Sequence, residues 1–181
     1  EADRLLIGAG VYTAGATGGD KGANTVNATT YYTGGKQDWI PINKVTAETR
    51  TSTTTLTDDA VLKVTMAAST KYKIRGMFMI DVAGAGGFRI GTAISNVATA
   101  LQIGIRYTSD NGDLYHGTHV TAVGLHINDG STGGLGIIWF DAYVENITAA
   151  TVFSIQWAQS ASNGTALQIK AGSYLEYAVM T

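Results

Sequence analysis

The feature that most constrains the fold of this 181-residue chain is a period-two alternation of apolar and polar residues in its last third. In residues 151–159 the apolar members are Phe153, Ile155 and Trp157. The alternation continues through 165–170 and 173–179. Successive side chains of a strand point to opposite faces, so this pattern predicts strands with one buried face each. Residues 137–180 therefore contain four predicted strands and no amphipathic helix.

The same period extends upstream to about residue 51. Residues 71–82 place one apolar set on a single face: Tyr72, Ile74, Phe78, Ile80 and Val82. In 119–127 the predicted inward set is Val123, Leu125 and Ile127. The pair Asp58-Asp59 is assigned to a turn, and Ser162-Asn163-Gly164 predicts a hairpin. Eight or nine short strands over 51–181 predict an all-β fold, an antiparallel jelly roll or β-sandwich.

Residues 1–50 differ from the rest because they are rich in Gly, Ala, Thr and Asn and show little periodicity. Such a segment buries too little apolar area to offset its backbone entropy, which predicts an extended arm ordered by a partner. The alternative is a loosely packed start of the same domain. The candidate contact residues of the arm are its apolar and aromatic members Leu5, Leu6, Ile7, Tyr31, Tyr32, Trp39 and Ile40.

Composition excludes several classes of partner and site. Only 14% of residues are charged, against roughly 25% in a typical soluble domain, which indicates that much of the surface faces another protein. The net charge of −2 gives no basic field for nucleic acid or an anionic membrane. The absence of cysteine excludes disulfides and thiolate metal sites. No apolar run approaches the ~20 residues of a membrane span, and the first residues show no signal-peptide pattern.

One predicted strand, 137–145, is apolar on both faces. Ile138, Phe140 and Val144 form one stripe, whereas the opposite face carries Ile137, Trp139 and Tyr143. A sandwich strand needs only one apolar face, and aromatic residues are enriched in interface cores. Ile137, Trp139 and Tyr143 are therefore candidates for a subunit interface. The alternative is that the N-terminal arm of the same chain covers them.

Several segments resemble a known class of proteins. These segments are 56–62 (LTDDAVL), 71–75 (KYKIR), 153–159 (FSIQWAQ) and 170–176 (KAGSYLE), and 22–32 resembles a linker of phage structural proteins. They are similar to the compact β domains of tailed-bacteriophage virion proteins. Such domains are jelly rolls of the tumour-necrosis-factor type that usually form trimers, as capsid decoration (cement) proteins or as tail-fibre knobs. The resemblance covers about 51–181 and implies no catalytic residue.

No set of residues has the spacing of a catalytic or metal site, so neither a cofactor nor an enzymatic activity is expected. His116 and His119 fall on opposite faces of a strand and cannot chelate one metal within one chain. A metal would need one histidine from each of three copies around a threefold axis. His126 lies further along the chain. Asp141 and Glu145 are about 13 Å apart along a strand, too far for paired acid–base work. No serine has the surroundings of a nucleophile elbow.

The resemblance leads to two functional expectations. The first is a cement protein on the outer capsid surface of the virion, with itself (as a homotrimer) and the major capsid protein as partners. The second is a tail-fibre or appendage protein whose knob binds a host receptor, with loops 110–113 and 128–134 contacting glycans. A small depolymerase ranks below both.

Overall fold

Every regular element in the described part of the chain is a β-strand. The structure, a computed structural model, describes residues 6–7, 10–11, 32–33, 36–37, 39–82, 84, 86–95, 100–108, 114–130, 134–145 and 148–180, of which the first four ranges and 114–119 are described by their backbone alone. The chain divides into two units, Glu1–Asp38 and Trp39–Thr181. The first unit contains two short antiparallel pairs: β1 (Leu6–Ile7) with β2 (Gly10–Val11), and β3 (Tyr32–Thr33) with β4 (Lys36–Gln37).

The second unit contains the remaining strands. They are β5 (Ile40–Asn43), β6 (Glu48–Arg50), β7 (Thr57–Met66), β8 (Lys71–Asp81), β9 (Phe88–Ile94), β10 (Ala100–Thr108), β11 (Leu114–Val120), β12 (Gly124–Asp129), β13 (Leu135–Glu145), β14 (Thr151–Gln159), β15 (Leu167–Ile169) and β16 (Tyr174–Met180). All of their pairings are antiparallel.

The eight consecutive strands from β7 through β14 pair in the order of a jelly roll. The first strand of this series pairs with the last, the second with the second-last, and so on: β7 with β14, β8 with β13, β9 with β12 and β10 with β11. Alternate pairs belong to different sheets, so the smaller sheet has the order β12-β9-β14-β7 and the larger contains β11-β10-β13-β8. Such a wrapped ribbon is the double Greek key of jelly rolls. This order confirms the predicted all-β jelly-roll sandwich.

Four further strands extend the larger sheet beyond β8. One end of β8 pairs with β16, which in turn pairs with β5. The other end pairs with β15, which in turn pairs with β6. Residues 39–50, here called the strap, therefore form the outer border of the larger sheet, next to the C-terminal strands.

The core lies between the two sheets and consists of the side chains that the alternation predicts to point inward. Phe78 and Phe140 of the larger sheet pack with their ring centres 6.2 Å apart, and Phe140 meets Phe153 of the smaller sheet at 5.6 Å. Trp157 is fully buried. The predicted inward sets of β8 and β14 are therefore confirmed.

The alternation predicts the wrong inward face at β12. Val123 and Leu125 were expected inside, but they are 43% and 49% exposed. The reason is a bulge: Leu125 pairs with Gly91 and Ile127 with Ile90, so His126 is an extra residue on β12. His126 is half-buried, with its Nε2 2.7 Å from Thr92 Oγ1.

The prediction of a hairpin at Ser162-Asn163-Gly164 is also wrong. The strands on either side of it do not pair with each other, since β14 lies in the smaller sheet and β15 in the larger one. Asn163 instead organises a crossover, where its Oδ1 accepts a hydrogen bond from the Thr165 N–H and its carbonyl accepts one from the Ser52 N–H. A local turn signal identifies where the chain bends but not which strand the following segment joins.

The predicted boundary at residue 50 differs from the boundary between the two units. The second unit begins at Trp39, so the strap belongs to the β domain and not to a separate arm. Asp58 and Asp59 lie within β7 and not in a turn before it. At this point β7 is bulged: Lys63 pairs with Ser154 and Asp58 with Gln156, which leaves an irregular stretch between them.

Candidate interface on the larger sheet

The outer face of the larger sheet is centred on β13, as expected from its doubly apolar sequence. Ile138, Phe140 and Val144 point into the core and are at most 1% exposed. Ile137, Trp139 and Tyr143 lie on the opposite face and are half-buried. Since β13 is flanked by β8 and β10, this outer row continues on to neighbouring strands.

The neighbours of this row are apolar on the side of β8, whereas β10 places Arg106 opposite Trp139 and Thr108 opposite Ile137. Trp139 lies directly opposite Met77 on β8, and Ile137 lies opposite Met79. Tyr174 of β16 is opposite Met77 on the other side. Directly opposed residues have Cβ atoms about 5 Å apart and interact. We call Met77, Met79, Ile137, Trp139 and Tyr174, all half-buried, the Trp139 patch.

The other end of the face is polar and contains a groove of about 470 Å³. Its lining residues are Trp39, Lys73, Ile74, Arg75, Gln102, Gly104, Asp141, Ala142 and Tyr143. Gly104 leaves space in the groove because it has no side chain. The nearest atom to a Cβ at this position would be the Asp141 carbonyl oxygen, at 4.0 Å. The Arg75 guanidinium lies 4.1 Å from the centre of the Trp39 ring and forms an ion pair with Glu176.

A charged row borders the groove at the Tyr143 end. Lys71 forms an ion pair with Glu145, and the Tyr143 hydroxyl donates to Glu145 Oε2 at 3.0 Å. The hydrogen bond from Lys71 lowers the pKa of Glu145, and the one from Tyr143 acts in the same direction. The hydrogen bond to Glu145 raises the pKa of Lys71. Both groups are therefore charged at neutral pH.

The predicted contact residues of the arm separate into two groups. Trp39 lines the groove, and Ile40 begins β5 and pairs with Tyr177. Leu6 and Ile7 form β1 and Tyr32 lies in β3, but their side chains are outside the described part of the chain. Leu5 and Tyr31 lie outside the described residues. The prediction that these residues contact a capsid stays a prediction.

Of the three histidines, His126 is the one whose side chain belongs to the described part of the chain. The side chains of His116 and His119 lie outside it, as does loop 109–113. Burial lowers the pKa of His126, which favours its neutral form. Among the described residues, no three or more His, Asp or Glu side chains group closely enough to hold a metal ion.

Sequence reasoning missed a buried group of charged side chains where the strap meets β7. Lys44 is 2% exposed and Asp59 is 0% exposed. The Lys44 Nζ lies 2.9 Å from Asp59 Oδ1, 2.8 Å from Asp59 Oδ2 and 2.9 Å from Glu48 Oε2. We call Lys44, Glu48 and Asp59 the Lys44 cluster. No sequence signal marks it, because Lys44 sits in a segment without periodicity.

Two large side chains enclose the Lys44 cluster. Trp157 donates its Nε1–H to Asp59 Oδ2 at 3.1 Å. Arg50 lies 3.9 Å from the centre of the Trp157 ring and donates to Glu48 Oε1 at 2.7 Å. Burial alone would raise the pKa of Glu48, but hydrogen bonds from the Ala60 N–H, Arg50 and Lys44 outweigh it and lower the pKa to about 2. Glu48 is therefore ionised under all ordinary conditions.

No protein-family model matches the chain, and no curated protein matches it. Among solved structures, the chain is similar to one titled "Structure of infectious bursal disease virus Gx strain", with 11% sequence identity and a TM-score of 0.19. The match covers 78% of this chain and 40% of that one. A TM-score this low does not establish a shared fold. The described part of the chain contains no helix that is long and apolar enough to cross a membrane.

Proposed function

We propose that this chain is a structural protein of a bacteriophage virion, a cement protein that binds the outer head surface as a homotrimer and stabilises the shell. Its partners are further copies of itself and the major capsid protein. It acts by binding and converts no substrate. It needs neither a cofactor nor nucleic acid, and it does not enter a membrane.

The observation that carries the proposal is the Trp139 patch on a jelly-roll sandwich. Its apolar members, among them Met79, Ile137 and Trp139, lie on the outside of the larger sheet, where a monomer gains nothing from a second apolar face. Aromatic residues and Met are enriched at the cores of subunit interfaces. The strand order of a jelly roll agrees with the resemblance of 51–181 to phage virion domains.

The proposed mechanism is multivalent binding. A trimer presents three copies of residues 1–38 to neighbouring capsid subunits, so that several weak contacts bind as one strong contact. Contacts that bridge capsid subunits oppose their separation under internal pressure. The low charge of the chain favours such contact over repulsion.

The trimer is tested with a pair of lysine substitutions on opposite sheets. Ile137→Lys places a charge in the Trp139 patch, whereas Thr65→Lys changes an exposed residue of β7. By native mass spectrometry, we expect trimers for the unmodified chain and for Thr65→Lys but monomers for Ile137→Lys, with all three retaining the same far-UV circular dichroism. A monomeric unmodified chain at micromolar concentration would contradict the proposal.

The location is tested on particles of the phage that encodes the chain. Cryo-electron microscopy of virions should show density for the trimer on the head. A chain lacking 1–38 should still form trimers but should not bind heads from which the protein is absent. Normal binding by the truncated chain would show that residues 1–38 do not contact the capsid.

One observation favours the second candidate, a receptor-binding knob. The groove combines the aromatic rings of Trp39 and Tyr143 with hydrogen-bonding groups of Gln102, Lys73 and Asp141. Aromatic rings pack against the apolar faces of sugar rings, while amide and carboxylate groups bind hydroxyls. Binding to a glycan array that is lost on Trp39→Ala, together with density on tail fibres, would favour this function over the cement protein.

A further inference from the structure

We propose that Lys44 and Asp59 condense into an intramolecular isopeptide bond, with Glu48 as the residue that moves the proton. The bond would be a covalent modification of the folded chain that joins the strap to β7. The inference comes from the geometry of the Lys44 cluster and does not depend on the proposed function.

The first requirement is contact between the amine and the carboxyl carbon. The Lys44 Nζ is almost equally distant from the two oxygens of Asp59, at 2.9 and 2.8 Å. With C–O bonds of ~1.2 Å, this places Nζ within about 3.3 Å of the carboxyl carbon. That separation is within the range of a near-attack pair.

The second requirement is that both groups become neutral. One proton moves from the Lys44 ammonium to Asp59 Oδ2, which gives an amine and a carboxylic acid. Lys44 is 2% exposed and Asp59 is 0% exposed, so water stabilises their charged forms very little.

The third requirement is stabilisation of the oxyanion that forms on attack. The Val61 and Leu62 N–H groups both donate to Asp59 Oδ1, each at 2.9 Å. When Nζ bonds to the carboxyl carbon, the electron pair of the C–Oδ1 π bond moves on to Oδ1, and these two donors are already in place. Preorganised backbone donors of this kind are the largest single contribution in many acyl transfers.

Glu48 completes the proton balance. After attack, the nitrogen carries a positive charge and two hydrogens, and Glu48 Oε2, 2.9 Å from Nζ, accepts one of them. Glu48 returns this proton to Oδ2, the C–Oδ2 bond breaks, and Oδ2 leaves as water. The ammonium and carboxylate thus become an amide and one water molecule, and Glu48 ends as it began. No oxidant or activating group is required.

The bond would fasten the strap at the point where force from residues 1–38 enters the second unit. Such a force is shared with β16 through its pairing with β5, and the part that reaches Lys44 would pass directly to Asp59 in β7. Residues 45–58 would carry none of it. A chain without cysteine gains in this way a cross-link that no reductant can break.

The test is the mass of the purified full-length chain. We expect an intact mass lower than that of the sequence by one water molecule. Trypsin should then fail to cleave after Lys44 and should release residues 37–50 joined to residues 51–63 as one branched peptide. An intact mass equal to that of the sequence, with ordinary cleavage after Lys44, would show that the pair is only a buried ion pair.

Two controls make the assignment specific. Lys170 and Asp81 form an ion pair at 2.9 Å, but their side chains are 35% and 26% exposed, so this pair should remain uncondensed in the same digest. Glu48→Gln keeps the size of the side chain but cannot accept the proton, and its mass should equal that of its sequence. A water loss that persists in Glu48→Gln would remove Glu48 from the mechanism, and one that maps to Lys170 would overturn the proposal.

Discussion

At the scale of single residues, stability depends on positions that only glycine can occupy. Gly87 is such a position for two reasons, its backbone conformation and the lack of space for a Cβ. Its φ of +83° is a backbone conformation that other residues rarely adopt, and a Cβ would lie 2.1 Å from the Asp129 carbonyl oxygen. This contact lies where the connection into β9 passes the end of β12, so a shift there would disturb both strands.

Gly87→Ala is therefore expected to lower the free energy of unfolding by about 2 kcal/mol or more. The matched control is Gly130→Ala, because a Cβ at Gly130 meets nothing within 4 Å. Urea unfolding followed by tryptophan fluorescence measures both variants. Equal midpoints for the two variants would show that the connection into β9 relaxes freely around Gly87.

The ionisation of Glu48 links stability to pH. The folded pKa of about 2 is below the usual value of 4.5, so Glu48 contributes stability above pH 4.5 and loses it as the pH falls from 4.5 towards 2. Glu48→Gln should show a shallower decline of stability over this range in denaturant titrations at several pH values. The direction of this slope is the same with or without a bond between Lys44 and Asp59, because the hydrogen bonds from the Ala60 N–H and Arg50 lower the pKa of Glu48 more than Lys44 does. If the stability of the two chains fell in parallel with pH, Glu48 would not be the group whose protonation destabilises the fold.

At the scale of elements, the strap matters more than its composition indicates. It contributes β5 and β6 to the border of the larger sheet, and its Lys44 contacts the fully buried Asp59. Removing one partner of a buried ion pair leaves an uncompensated charge, which typically costs about 3–5 kcal/mol. The strap is therefore part of the fold.

Two truncations separate the strap from the residues before it. A chain that begins at Trp39 should unfold at nearly the same temperature as the whole chain. A chain that begins at Thr51 lacks Lys44 and Glu48 and should be less stable by at least about 3 kcal/mol. Differential scanning calorimetry of the two truncated chains measures the difference. Indistinguishable transitions would mean that the strap contributes no stability.

At the scale of the whole molecule, the proposed trimer depends on apolar contact and not on charge. The Trp139 patch is made of Met, Ile, Trp and Tyr side chains, and the net charge of the chain is only −2. Apolar association does not weaken when salt screens electrostatic interactions. An interface dominated by ion pairs would instead weaken as the salt concentration rises.

The trimer is accordingly expected to persist when the ionic strength rises from about 0.1 M to about 1 M. Sedimentation equilibrium at both salt concentrations measures this directly. Dissociation at high salt would indicate that pairs such as Lys71–Glu145 hold the subunits together instead of the Trp139 patch.

The sequence alone determined the strand class of this protein and most of its inward-facing side chains, including Phe78, Phe153 and Trp157. It also identified the outer row of Ile137, Trp139 and Tyr143. These properties depend on the period of two, which each strand carries within itself. A local pattern is therefore sufficient to predict them.

The tertiary structure alone decided which strands pair, where the alternation is interrupted, and which charges are buried. The crossover at Asn163 and the bulge at His126 depend on partners distant in the sequence. Lys44 and Asp59 are fifteen positions apart. They meet only because the strap, at the border of the larger sheet, passes β7 of the smaller sheet. Burial of a charge is a property of the whole packing, so no local pattern can predict it.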